Sequence, residues 1–92
     1  MDNTQLHLII RGKVQGVFFR ASAKEKALSL GLRGWVKNTS EGAVETVVVG
    51  DEKAVQIYAD WCKTGPKNAF VENVEAKHAA SLQKYTDFSI VL

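Results

Sequence analysis

Apolar residues recur along the chain in two periods, and each change of period marks an element. Leu6, Leu8 and Ile10 share one face over the short apolar run 6–10, which predicts a first strand, central in its sheet, ended by Arg11 and Gly12. Over 19–30 the period lengthens: Phe19, Ala23, Ala27 and Leu30 fall at helical spacing around Lys24, Glu25 and Lys26, and Gly31 stops the helix. Ser22 and Glu25 have the spacing of a capping box, which would start this helix a few residues later. Residues 32–38 and 43–49 predict two more strands, the latter rich in β-branched residues, and the short link 39–42 with its glycine implies a hairpin. A second helix opens with Asp51 as N-cap and Glu52 in its first turn. Ala54, Ile57, Tyr58 and Trp61 are its expected buried stripe, and Gly65-Pro66 its stop. Residues 70–77, with Val71, Val74 and Ala76, predict a fourth strand. Residues 87–92, with Phe88, Ile90 and Leu92 alternating, predict a last one, and the polar stretch 80–86 between them reads as a loop.

The order β-α-β-β-α-β plus a terminal strand is the split-βαβ, ferredoxin-like pattern: an α+β sandwich with two helices on one face of a four- to five-stranded, antiparallel-type sheet. In that topology strands one and two run parallel through a right-handed crossover. With strand three between them, their ends share one edge of the sheet about 10 Å apart, two strand spacings. The loop after strand one and Asn38 at the end of strand two are therefore expected as neighbours.

Composition narrows the class without choosing a function. Ninety-two residues fit one domain, 1–92, which at this size buries roughly 60–65% of the unfolded chain's surface. With 46% apolar and 24% charged residues the chain is not disordered, and a net charge of +2 is too small to suggest non-specific binding to nucleic acid or membrane. There is no charged-then-apolar leader and no apolar run near 18 residues, so a soluble cytoplasmic protein is expected. Cys62 is the single cysteine; it can form no internal disulfide and has no partner at metal-ligand spacing.

The candidate chemistry lies in Gly12-Lys13-Val14-Gln15-Gly16-Val17-Phe18-Phe19-Arg20, a loop between an apolar strand and a helix. Consecutive backbone N–H groups in such a loop can converge on one anion, with the partial positive charge of the helix N-terminus behind them. Arg20 would add a full charge and a fork of donors. Gly12 and Gly16 permit backbone angles and close approach that a Cβ would obstruct. Phe19 continues the helical stripe into the core, whereas Phe18 does not. On its own, a loop of two glycines and an arginine is more often a plain turn, and an asparagine at a strand end more often a turn former.

The residues together are more specific. Ile10-Arg11-Gly12-Lys13-Val14-Gln15-Gly16-Val17-Phe18-Phe19-Arg20 resembles the first signature of the acylphosphatases. Gly34-Trp35-Val36-Lys37-Asn38, followed by Gly42, Val44 and Gly50, resembles the second. The hairpin departs from that family's common pattern at Glu41, where Asp is usual, and at Ala43, where a small hydroxyl residue is usual. The resemblance implies hydrolysis of the carboxyl–phosphate bond of a small acyl phosphate, with inorganic phosphate as a product, without cofactor or metal; the edge strands give no clear dimer signal, and a monomer is expected. It implies that Arg20 and the backbone of Gln15, Gly16, Val17, Phe18 and Phe19 bind phosphate and that Asn38 holds the attacking water. Asn38 cannot act as a general base, so the substrate's own phosphate is the expected proton acceptor. No acyl pocket is legible.

Other readings are weighed against this. Lys13 and Lys37 are ordinary solvated charges at such positions, though they can attract an anion. His7 and His78 are expected to have neither a nearby carboxylate nor a partner at metal spacing, which favours a structural or exposed role for both. A cysteine-dependent phosphatase wants an arginine six positions after its cysteine, and position 68 is Asn. Trp35, if exposed on the sheet, would suit a non-catalytic RNA-binding module that stacks bases, but the further aromatics of such a sheet are missing. A non-catalytic anion-binding domain of the same fold is the other alternative.

Overall fold

The computed structural model describes residues 3–79 and 84–92. The elements run β1 (Asn3–Lys13), α1 (Phe19–Ser29), β2 (Arg33–Asn38), β3 (Val44–Asp51), α2 (Glu52–Cys62), β4 (Phe70–His78) and β5 (Phe88–Val91). This is the expected order, with β1 longer than its apolar run; residues 80–83 of the expected loop lie outside the described residues. The strands form one sheet in the order β4-β1-β3-β2-β5. β1 is antiparallel to β3 and β4, β2 is antiparallel to β3, and β5 runs parallel to β2. The fold is ferredoxin-like with a fifth strand added at one edge.

Alternation on the strands and the helical period on α1 and α2 meet in one core. Leu6, Leu8 and Ile10 stand opposite Val48, Thr46 and Val44 across the β1–β3 ladder. Phe19, Ala23 and Ala27 of α1 pack into the same cluster, with Val55, Tyr58, Ala59 and Cys62 of α2. Burying a side chain such as Leu8 or Ile10 contributes about 1.5–3 kcal/mol. The α2 stripe differs from the expected one. Ile57 is 48% exposed, Ala54 and Trp61 lie at the border of the core, and Val55, Ala59 and Cys62 take the buried side. Asp51 caps α2 as expected, accepting from the N–H groups of Lys53 at 3.1 Å and Ala54 at 3.3 Å.

Two features of the sheet position the loop after β1. Val44 of β3 pairs with Ile10 on one side and with Asn38 on the other, so the ends of β1 and β2 meet across a single strand. The β1–β4 register shifts between Arg11 and Gly12. Gly12 has φ +133°, and a Cβ there would overlap the Phe70 carbonyl oxygen and stand 2.8 Å from the Glu72 nitrogen. This bulge bends β1 just before the chain enters the loop.

The opposite face of the sheet corrects a further expectation. His7 does have a carboxylate neighbour: Glu45 Oε2 lies 2.6 Å from its Nε2. Glu45 is diagonal to His7 across the β1–β3 ladder, a relation that local sequence does not reveal. Lys37 Nζ is 3.8 Å from the other Glu45 oxygen and 5.5 Å from the centre of the Trp35 ring. Trp35 is half-buried and donates from Nε1 to the Tyr85 hydroxyl at 3.3 Å, so it is not a free stacking platform.

Candidate active site

The chain leaves β1 through residues 14–18 and enters α1 at Phe19. Gly16 has φ +75° and Phe18, a non-glycine residue, has φ +63°. Left-handed residues set among ordinary ones turn successive N–H groups toward one side, the geometry of an anion nest. The N–H of Ser22 bonds the Phe18 carbonyl at 3.0 Å; among the described residues, no N–H from 15 to 20 donates to a backbone carbonyl. No side chain caps α1 either, so the Ser22–Glu25 box does not form. Its helix already starts at Phe19, because Phe18 turns the chain into the helix one residue earlier, and Ser22 sits a turn inside. The first donors of α1 are left open, and its first turn carries no acidic residue.

Arg20 stands on that first turn, half-buried, and Asn38 ends β2, also half-buried. Among the described residues no hydrogen bond or ion pair takes the Arg20 guanidinium or the Asn38 amide. Both line one concavity of about 340 Å³. Gly16, Phe18 and Phe19 belong to its wall; Gln15 and Val17 do not. Val17 turns its side chain into the core, while Phe19 is 2% exposed and Phe18 78%, the division expected for the two rings. Val14, Ala21, Ile90 and Leu92 also line it, apolar residues that the sequence did not assign to the site.

Gln15 has a role that sequence reasoning missed. Its side-chain Nε2 donates to the carbonyls of Thr39 at 2.9 Å and Ala43 at 2.8 Å, so the loop after β1 is fastened to the β2–β3 turn. Thr39 fastens the turn itself: its Oγ1 accepts from Glu41 N at 3.3 Å and Ala43 N at 3.1 Å. Asn38 directly precedes that fastened residue. The spacing between the open N–H groups and Asn38 is thereby set by side-chain bonds as well as by the sheet.

Groups with other chemistry lie elsewhere. Among the described residues no cluster of three or more His, Cys, Asp or Glu could hold a metal ion, and no helix is long and apolar enough to cross a membrane. Cys62 is fully buried, and burial pushes its thiol up to about 12. A thiol held so far from ionisation is no nucleophile.

The comparisons with known proteins decide the family. The profile described as Acylphosphatase matches residues 6–90. The chain belongs to the acylphosphatase family. It is 48% identical to an acylphosphatase of Pyrobaculum islandicum over 92 residues, covering 99% of this chain and 97% of that one. Among solved structures, an acylphosphatase from Coxiella burnetii superposes with a TM-score of 0.94 at 42% identity, over 98% of this chain and 94% of that one. One from Bacillus subtilis gives 0.93 at 36% identity, over 97% and 99%. The activity of this chain is acylphosphatase-type hydrolysis of the acyl phosphate bond. The concavity that holds Arg20 and Asn38 is the place in the fold where its chemistry can be sought.

Proposed function

We propose that Arg20 and the N–H groups of Gln15, Gly16, Val17, Phe18, Phe19 and Arg20 seat the phosphoryl group of the acyl phosphate, and that Asn38 orients the attacking water. The observation that carries this is one concavity walled by Gly16, Phe18, Phe19, Arg20 and Asn38, in which, among the described residues, the Arg20 guanidinium and the Asn38 amide have no partner and the N–H groups of the adjoining loop donate to no backbone carbonyl. Phosphoryl transfer spreads negative charge over the equatorial oxygens, and preorganised donors stabilise charge where it develops. The water oxygen bonds to phosphorus as the bond from phosphorus to the acyl oxygen breaks, and that electron pair leaves on the carboxylate. A phosphoryl oxygen takes the water's proton. The leaving carboxylate is a weak base, so neither a strong acid nor a metal is required by the chemistry. We take the chain as a single domain, 1–92, working as a monomer in the cytoplasm.

Two variants test the division of roles. Arg20→Gln should lower kcat/KM on acetyl phosphate by at least about 100-fold, the scale of losing one transition-state donor. Asn38→Ala should lose turnover while inorganic phosphate still raises its Tm as it does for the wild type. Wild-type turnover in folded Arg20→Gln removes the phosphate seat, and loss of phosphate protection in Asn38→Ala removes the separation of roles. Turnover unchanged by a chelator is expected; activity that needs an added metal counts against the mechanism.

A further inference from the structure

We propose that Gly65 and Trp61, where α2 ends, are positioning residues for the hydrolysis: neither lines the concavity, but together they hold the Phe19 ring and so keep the loop 14–18 in the backbone conformation that seats phosphate. The proposal rests on the phosphate seat described above and adds what keeps that seat in shape.

Three observations carry it. The first is strain. Phe18 is a non-glycine residue at φ +63°, a backbone that costs energy and persists only where its surroundings over-determine it. Its own ring is exposed and holds little. The hold comes from its two neighbours, since Val17 and Phe19 both belong to the core cluster, and Phe19 is the first residue of α1. Phe19 also lines the concavity beside Arg20, so the anchor of the strained loop is itself part of the site.

The second is what touches that anchor. The Trp61 ring centre lies 5.3 Å from that of Phe19, with the planes tilted by 56°. Gly65 has φ +67°, and a Cβ there would stand 2.5 Å from Cε2 and 3.1 Å from Cδ2 of the Phe19 ring. Only glycine lets the chain leaving α2 come so close to the ring. The third is how the two contacts are joined. The Trp61 carbonyl accepts from the N–H groups of Thr64 at 3.0 Å and Gly65 at 2.8 Å, and from the Thr64 hydroxyl at 3.1 Å. The turn that brings Gly65 to the ring is thereby tied to the residue whose side chain packs on it.

A loosened Phe19 lets the loop sample conformations in which its N–H groups no longer converge. A ligand then binds with its affinity reduced by the fraction of loops that remain competent. Saturating substrate draws the loop back, so the loss falls on KM and on phosphate binding and spares kcat.

Two glycines form a matched pair for the test. Gly31, which follows α1, has φ +70° and no atom within 4 Å of where a Cβ would stand. Gly65→Ala and Gly31→Ala carry the same left-handed penalty, and only the first meets Phe19. With inorganic phosphate as competitive inhibitor of acetyl phosphate turnover, Gly65→Ala should raise the phosphate Ki and the KM about tenfold each and leave kcat within about twofold. Gly31→Ala should lose Tm yet keep the wild-type Ki and KM. Trp61→Leu, at a half-buried position, should repeat the Gly65→Ala pattern, and Trp61→Phe, which keeps an aromatic contact, should recover most of it. A wild-type Ki in both folded Gly65→Ala and folded Trp61→Leu overturns the proposal, as does an equal rise of Ki in Gly31→Ala or a fall in kcat at unchanged Ki. If phosphate neither inhibits the wild type nor raises its Tm, the phosphate seat itself is removed, and the positioning role falls with it.

Discussion

Gln15 donates both hydrogens of its side-chain amide to carbonyls of the β2–β3 turn, on Thr39 and Ala43. Two such bonds contribute about 1–3 kcal/mol together. Their larger effect concerns position, since small misplacements of reacting groups can cost about 100-fold in rate. Gln15→Leu should therefore lower Tm and reduce kcat/KM on acetyl phosphate about tenfold. Gln15→Glu should do worse on both counts, because its carboxylate faces two carbonyls and sets a negative charge beside the open N–H groups. Thermal melts and initial rates on the two variants check this; unchanged rates in Gln15→Leu would leave the clamp a purely structural contact. That Arg20 and Asn38 would line one concavity was legible in the sequence, because each sits in a signature and topology brings the signatures together. The Gln15 clamp was not, because its partners lie 24 and 28 residues away and are carbonyls, which carry no side-chain signal.

At the scale of elements, the passage from β1 to α1 runs through the positive-φ residues Gly12, Gly16 and Phe18, and the two glycines do different jobs. Gly16 has φ +75° with no atom within 4 Å of where a Cβ would stand; Gly12 has φ +133° and its Cβ would overlap β4. Gly16→Ala should cost about 1–2 kcal/mol, the penalty of a left-handed backbone. Gly12→Ala adds overpacking, itself about 1–3 kcal/mol, against a neighbouring strand that cannot move without breaking its ladder. Urea melts should place Gly12→Ala clearly below Gly16→Ala, and equal losses would mean that β4 yields easily. Strands and helices were readable from their periods, but the buried side of α2 was not. Ala54, Ile57, Tyr58 and Trp61 fit the helical period as well as Val55, Tyr58, Ala59 and Cys62 do, and the two stripes share Tyr58. They differ by a rotation of one residue, which only the docking of the helix on β1 and β3 decides.

Across the whole molecule, α2 is joined to the centre of the sheet by a buried polar chain. Thr46 Oγ1 donates to the Trp35 carbonyl at 2.8 Å, which commits its one hydrogen, so the Tyr58 hydroxyl, 2.9 Å away, donates to Thr46. Cys62 lies one turn further along α2, and Tyr58 and Cys62 are both fully buried. Burial holds the Tyr58 phenol well above its ordinary value and moves the Cys62 thiol from 9.0 to about 12. Below pH 9 the thiol keeps its proton in both folded and unfolded chains, and its neutral burial costs nothing that depends on pH. Between pH 9 and about 12 the unfolded chain releases the proton and the folded chain does not, so stability falls as pH rises. Each pH unit across that window costs about 1.4 kcal/mol, up to about 4 kcal/mol in all. Other groups titrate in the same range, so the decisive quantity is a difference. Urea melts from pH 7 to 11 should show wild type losing stability more steeply above pH 9 than Cys62→Ala, even though that variant starts lower because of the cavity it creates. Parallel curves would mean that the thiol ionises as readily in the folded protein as in the unfolded chain.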